Sequence, residues 1–345
     1  MRGSNIIVGL TCLWLMACSP NNDLESHFQT YLTRLAHVLK VDAPSLTPVP
    51  TLPDLPSQRL LVAHQEQISS GVLDALQLGQ CEGLFELVAE HNGPVGKSQS
   101  AAGQLLYHLQ FQYGLHACQT EHSDPKLQAW LANISQQKQP LLPRFFWNMM
   151  IAEPELRAAL APRRQTLPFE QQAGYHSTLH ALSLFNDLYQ QAQGNRPLQP
   201  ISNELLSEAL AGLYQNHYLG RLFYSLHSGA HYLEQSIQFL QQLKQLDCRR
   251  AERTDAKRLR NAMQHYYIKD IQRYLGQIDR QFVQLAPLLS TSLTPPEEKD
   301  ALMHAYRQQV AQGLNSQVYV RYRHLTLKHA KVWQQFLKRC ELSPL

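Results

Sequence analysis

Apolar residues in the C-terminal half of this chain recur three and four positions apart: Leu219, Leu222, Leu226, Ala230, Leu233, Ile237 and Leu240, then Ile271, Leu275, Ile278, Phe282, Leu285 and Leu289. That spacing is the seam of a helix packed against near-antiparallel neighbours. Tyr322, Leu325, Val332 and Phe336 predict a last amphipathic helix. In the N-terminal half, Phe28, Leu32, Leu35 and Leu39 predict a helix from Leu24 to Lys40. Shorter helices are predicted over 57–79, 82–91, 98–118, 124–137 and 153–161, with Ser98 as one cap and Asp124-Pro125 as another. The Gly, Pro and Ser of "NGPVGKSQS" mark a loop. No segment alternates with the period of a strand, so the expected class is all-α: an up-and-down bundle of long antiparallel helices in the C-terminal half, with shorter helices in the N-terminal half. With no fixed repeat period, a tetratricopeptide-type solenoid is the weaker alternative.

One stretch has a different period. "PSLTPVPTLPDLP" holds five prolines between Pro44 and Pro56, yet Leu46, Val49, Leu52 and Leu55 recur every third residue. Polyproline II has three residues per turn, so one edge of this segment is apolar. The expectation is a strap lying along the helical body with its proline edge outward; the alternatives are a flexible spacer and a docking peptide for a proline-binding domain.

The N-terminus carries an address. Ile6 to Ala17 is an apolar run preceded by Arg2. As a helix it would span roughly 18 Å, short of the roughly 30 Å of a hydrocarbon core. This is the layout of a signal peptide. Leu15-Met16-Ala17-Cys18 looks like a bacterial lipobox, which would make 1–17 the signal, Cys18 the lipid-bearing first residue and 18–23 a short tether. Several acyl chains on Cys18 would anchor stably where one does so marginally. Ser19 follows the cysteine rather than Asp, which implies the outer membrane, with the body facing the periplasm. The expected folded unit is 24–345, with room for a smaller lobe at about 57–165.

Composition changes the picture little. Charged residues are 17% of the chain and the net charge is +4, too mild to name a partner. Glutamine supplies about a ninth of the residues, a helix former without charge. Beyond Cys12 and Cys18, four cysteines remain, Cys81, Cys118, Cys248 and Cys340. An even number in an oxidising compartment suggests two disulfides. Of three connectivities the favoured one joins Cys81 to Cys118 and Cys248 to Cys340, which places each pair near ends of neighbouring predicted helices; four buried thiols are the alternative.

Candidate chemistry is sparse. "HSGAHYLE" puts His227, His231 and Glu234 at i, i+4 and i+7, with Tyr224 a turn earlier, a stripe able to offer three ligands to a metal lacking only a fourth. His176 and His180 share the first spacing. The plainer reading is polar flanks of a helix interface, and no HExxH is present. GxSxG, Walker and GxGxxG patterns are absent as well. Ser135-Gln-Gln-Lys138 fits SxxK by chance more readily than by purpose, and Glu153 and Glu155 cannot be paired from sequence. The basic run from Cys248 to Arg260 reads as a solvated interhelical turn, or as a contact for a polyanionic envelope component; an envelope address makes nucleic acid improbable. His329 falls on an apolar face, where a hydrogen-bonded core histidine is expected.

The lipobox, "YLTRLAHVL" leading into the proline-rich stretch, "QPLLPRFFWNMM", "LRNAMQHYYIKDIQRYL" and "VWQQFLKRC" together resemble the domain-of-unknown-function 3080 family of bacterial lipoproteins. The resemblance covers nearly the whole mature chain, implies a secreted lipoprotein, and brings no activity, cofactor or site. The expectation is a non-enzymatic protein that binds another envelope protein or an envelope polymer, with no cofactor beyond the lipid on Cys18. The rival is a periplasmic metal protein or enzyme built on His227, His231 and Glu234.

Overall fold

The computed structural model describes residues 24–64, 79–94, 96–170, 172–248 and 252–343. Cys18, the lipobox and the tether lie outside them. The first helix, α1 (Leu24–Leu39), buries Phe28, Tyr31, Leu32 and Leu35, the face its periodicity predicts. Of the helix expected over 57–79, only a turn, α2 (Gln58–Leu61), is seen, and 65–78 lie outside the described residues. Side chains explain the stop. Trp147 donates its indole N–H to Leu61 O at 2.8 Å, and the Asn148 amide both accepts from Ala63 N (2.8 Å) and donates to Ala63 O (3.0 Å), taking the backbone groups that another turn would use.

Next come α3 (Glu82–Asn92), α4 (Ala101–Glu121) and α5 (Pro125–Lys138). Asp124 caps α5 as expected, accepting from Lys126 N at 3.0 Å, with Pro125 where a missing N–H costs nothing. The cap of α4 is Ser100 rather than Ser98: its hydroxyl accepts from Gly103 N, and Gly96–Ser98 is a separate 3-10 turn. The shorter helices α6 (Leu142–Ala152), α7 (Pro154–Leu160), α8 (Tyr175–Ala192) and α9 (Asn203–Ala211) lead into the long α10 (Tyr218–Leu240). A helical run then extends unbroken from α11 (Glu252–Ala262) through a π-helical stretch, Met263–Gln272, into α12 (Arg273–Ser292). The chain ends with α13 (Glu297–Tyr306), a π turn, and α14 (Gln317–Arg339). No strand occurs among the described residues, and none of the described helices is long and apolar enough to cross a membrane.

Leucine seams assemble the bundle. α12 runs antiparallel to α10 and α14: Gly229 meets both Leu275 and Tyr322, while Phe282 meets Phe223 and Tyr319. α10 and α14 run parallel to each other, as an up-down-up order requires, with Glu234 paired to Arg321 and Arg339 reaching the carbonyls of Leu243 and Lys244. α1 closes the bundle against the π segment, where Tyr31 OH, His329 Nε2 (3.3 Å) and Trp333 Nε1 (2.7 Å) form a buried network. His329 is the core histidine expected of its position.

α4 carries two apolar faces. Leu105, Leu106 and Leu109 enter the main core, whereas Tyr107, Phe111 and Leu115 form a second core with Leu84, Leu127 and Leu131 of α3 and α5. Cys81, the cap of α3, is bonded to Cys118 in the last turn of α4 (Cα–Cα 5.7 Å), and Cys248 to Cys340 at the end of α14 (5.0 Å), the favoured pairing in both cases. The basic run is less of a turn than expected: from Glu252 onward it is helix, and Asp255 there meets Arg258 and Lys40.

Residues 44–56 form the strap. Leu52 and Leu55 are buried, Leu46 and Val49 pack on the main core, and Pro48 and Pro50 face solvent. Side chains from the body hold its backbone: Gln29 donates to Pro44 O at 3.0 Å, Gln235 accepts from Thr47 N at 2.8 Å, and Arg157 donates to Pro56 O at 2.9 Å.

Candidate ligand groove

A groove of about 930 Å³ opens between the second core and the loop that follows α8. Tyr113 and His116 of α4 and Ser135 and Gln136 of α5 form one wall, because α4 has committed its other faces to the two cores. The opposite wall is built by the turn at Gly194, whose φ of +73° suits glycine. Behind that turn, buried Gln191 donates to Asp187 at 2.8 Å and accepts from Gln199 N at 2.9 Å, and Arg196 pairs with Asp187 at 2.5 Å. A hydrogen-bonded turn thus faces a helical wall.

The lining is amide-rich and nearly neutral. Gln136 and Gln139 have side chains with no partner among the described residues, and each amide offers both donors and acceptors. Tyr113 presents a ring 38% exposed. Arg196 is neutralised by Asp187, leaving Glu121 and His116 as the other titratable groups beside the Tyr113 phenol. The Ser135 hydroxyl and the Lys138 amine share no hydrogen bond, so the SxxK pattern yields no nucleophile and base. Lys138 instead lies 5.3 Å from the Phe111 ring, and burial lowers its pKa.

The histidine stripe of α10 is occupied by the strap. His227 donates from Nε2 to Pro50 O at 3.0 Å, and His231 from Nε2 to Thr47 O at 2.9 Å. Glu234 is turned to Arg321 at 2.6 Å. Burial, above all, lowers the His227 pKa, with Arg321 and His231 adding to the effect. The plainer reading of an interface flank describes this geometry. His176 and His180 are exposed on α8. Glu153 accepts from Ala102 N at 2.6 Å, where the first turn of α4 favours a negative charge. Among the described residues the one cluster of three metal-type ligands is Cys81, Cys118 and His122, and its two sulfurs are bonded to each other.

Sequence reasoning missed the groove because its lining is spread from Tyr113 to Leu198 with no common spacing; the glutamine excess was its only trace. It also missed a stacked group elsewhere on α4. His91 lies on Tyr107 at 3.5 Å and His108 on Phe145 at 3.7 Å, joining the two cores. Burial, then Lys138 and His91, pushes the His108 pKa down to about 3. A family model described as a protein of unknown function (DUF3080) matches residues 28–344. No curated protein and no solved structure matches the chain.

Proposed function

The chain belongs to the DUF3080 family, and on that footing we propose that it is a lipid-anchored envelope protein that binds a neutral, hydroxyl- and amide-rich polymer in the groove beside Tyr113. The anchor in this reading is acylated Cys18, which would hold the body on the periplasmic side of the outer membrane. The observation that carries the binding role is the lining: the Gln136 and Gln139 amides, without a partner among the described residues, flank an exposed aromatic ring in a groove of about 930 Å³. Amides match hydroxyl and acetamido groups, which both donate and accept, and a ring face packs the apolar face of a sugar. An N-acetylated glycan meets these terms better than a charged polymer does.

The test is cosedimentation of the full chain with purified peptidoglycan sacculi. Saturable retention, weakened at least about tenfold by Tyr113→Ala together with Gln136→Ala, is expected. No retention, or retention indifferent to both substitutions, refutes the reading. The anchor is tested separately by labelling cells with a fatty acid: incorporation lost in Cys18→Ala supports it, and an unlabelled wild-type chain rejects it.

A further inference from the structure

On the far helical run, a second cavity of about 390 Å³ sits where the π segment returns to α-helix. Arg273 and Arg280 are two turns apart and share one face of α12, with Gly276 between them. α14 supplies the facing wall through Arg323 and Thr326. Asp279, the single carboxylate among the described residues of the lining, already accepts from Arg323 (3.2 Å) and the Tyr319 hydroxyl (3.1 Å). Neither Arg273 nor Arg280 is paired with a carboxylate or any other group among the described residues. The Arg280 guanidinium reaches back over the glycine, where Nη1 would stand 3.6 Å from a Cβ.

Glycine in the middle of a long helix weakens it, and two guanidinium groups unpaired among the described residues leave an excess of positive charge on the same face. Both features face one notch, flanked by a π segment of the kind often found at functional sites. We propose that this notch binds a phosphate-bearing anion, clamped by Arg273 and Arg280 with Gly276 leaving room for its oxygens. Guanidinium groups form paired, charge-assisted hydrogen bonds with phosphate, and the partial neutralisation of Arg323 by Asp279 leaves a net positive site. The site is independent of the glycan groove.

Free phosphate and a lipid headgroup share this chemistry. The headgroup source has one geometric argument: His27 in the first turns of α1 stacks on Phe169 (4.0 Å), which stacks on Tyr274 (4.3 Å), so α1 begins at the level of Arg273. Only that source rests on the Cys18 anchor.

Calorimetric titration of the full chain in detergent micelles with inorganic phosphate provides the test, with native mass spectrometry of the same micelles carrying phosphatidic acid or phosphatidylcholine. Saturable phosphate binding, weakened at least about tenfold by Arg273→Gln with Arg280→Gln and also by Gly276→Leu, supports the site. Circular dichroism of each variant separates lost binding from lost fold, and Arg323→Gln, on the other wall, gives a smaller loss if a variant unfolds. A phosphatidic acid adduct absent with phosphatidylcholine and lost in the double variant identifies the headgroup; phosphate binding without that adduct identifies the free anion. The proposal is overturned if neither probe binds saturably, or if folded double variant binds as wild type.

Discussion

His227 donates its Nε2 proton to the carbonyl oxygen of Pro50 at 3.0 Å, so a helix side chain supplies the bond that a strap without secondary structure cannot make for itself. His231 repeats this one turn later with Thr47. Each such bond contributes about 1 kcal/mol net, while Leu52 and Leu55 add apolar burial. His227→Ala with His231→Ala should leave the bundle folded and speed proteolysis between residues 44 and 56 at least about tenfold. Mass spectrometry of timed digests would show this; a wild-type strap cut as fast as the variant's would mean that it is not held.

Stability should fall in acid, in part because of His329. Burial pushes its pKa down to about 3, whereas in the unfolded chain it sits near 6.5. Below that value the unfolded state binds a proton that the folded state refuses. Its contribution is therefore complete above about pH 6.5 and is lost as pH falls toward 3, at roughly 1.4 kcal/mol per unit. Urea unfolding at several pH values should give His329→Leu a slope shallower by about one proton; an unchanged slope would show that His329 takes no part.

Two glycines should respond oppositely to alanine. A Cβ at Gly220 would lie 2.1 Å from Ala161 O, and the Arg163 N–H that bonds Gly220 O at 3.2 Å fixes the two backbones together. Gly220→Ala should cost about 2–3 kcal/mol. At Gly276 the nearest atom would be 3.6 Å away, so Gly276→Ala should stabilise the free chain by up to about 1 kcal/mol. Thermal unfolding of both variants checks the signs.

The seams at 219–240 and 271–289 were legible because burial repeats with the helical period, and the strap because Leu46, Val49, Leu52 and Leu55 repeat with another. The extent of the α2 helix was not legible, because its end is set by Trp147 and Asn148, far along the chain. α4 hid its role differently: with two apolar faces it shows no single stripe, and the second core is visible only once α3 and α5 are in place. For the histidine stripe, spacing alone could not separate a ligand set from a rail, since both need one face of a helix. The strap that meets this face is brought there by more than 170 residues of intervening chain, a contact that no local spacing announces.

The two disulfides should act on different parts of the molecule. Cys248–Cys340 closes a separation of 92 residues across the main bundle, and Cys81–Cys118 one of 37 within the second core. Chain entropy assigns them about 4.6 and 3.8 kcal/mol. Among the described residues the second core shares only α4 with the first, so its opening need not disrupt α10, α12 and α14. Hydrogen exchange of Cys81→Ala with Cys118→Ala should thus lose protection over residues 82–138 while α10 and α14 keep theirs. Cys248→Ala with Cys340→Ala should instead lower the protection of α10 and α14 together. Uniform loss in both variants would mean that the two cores unfold as one unit, and α4, Leu105 and Leu109 on one side and Phe111 and Leu115 on the other, would then be the element that couples them.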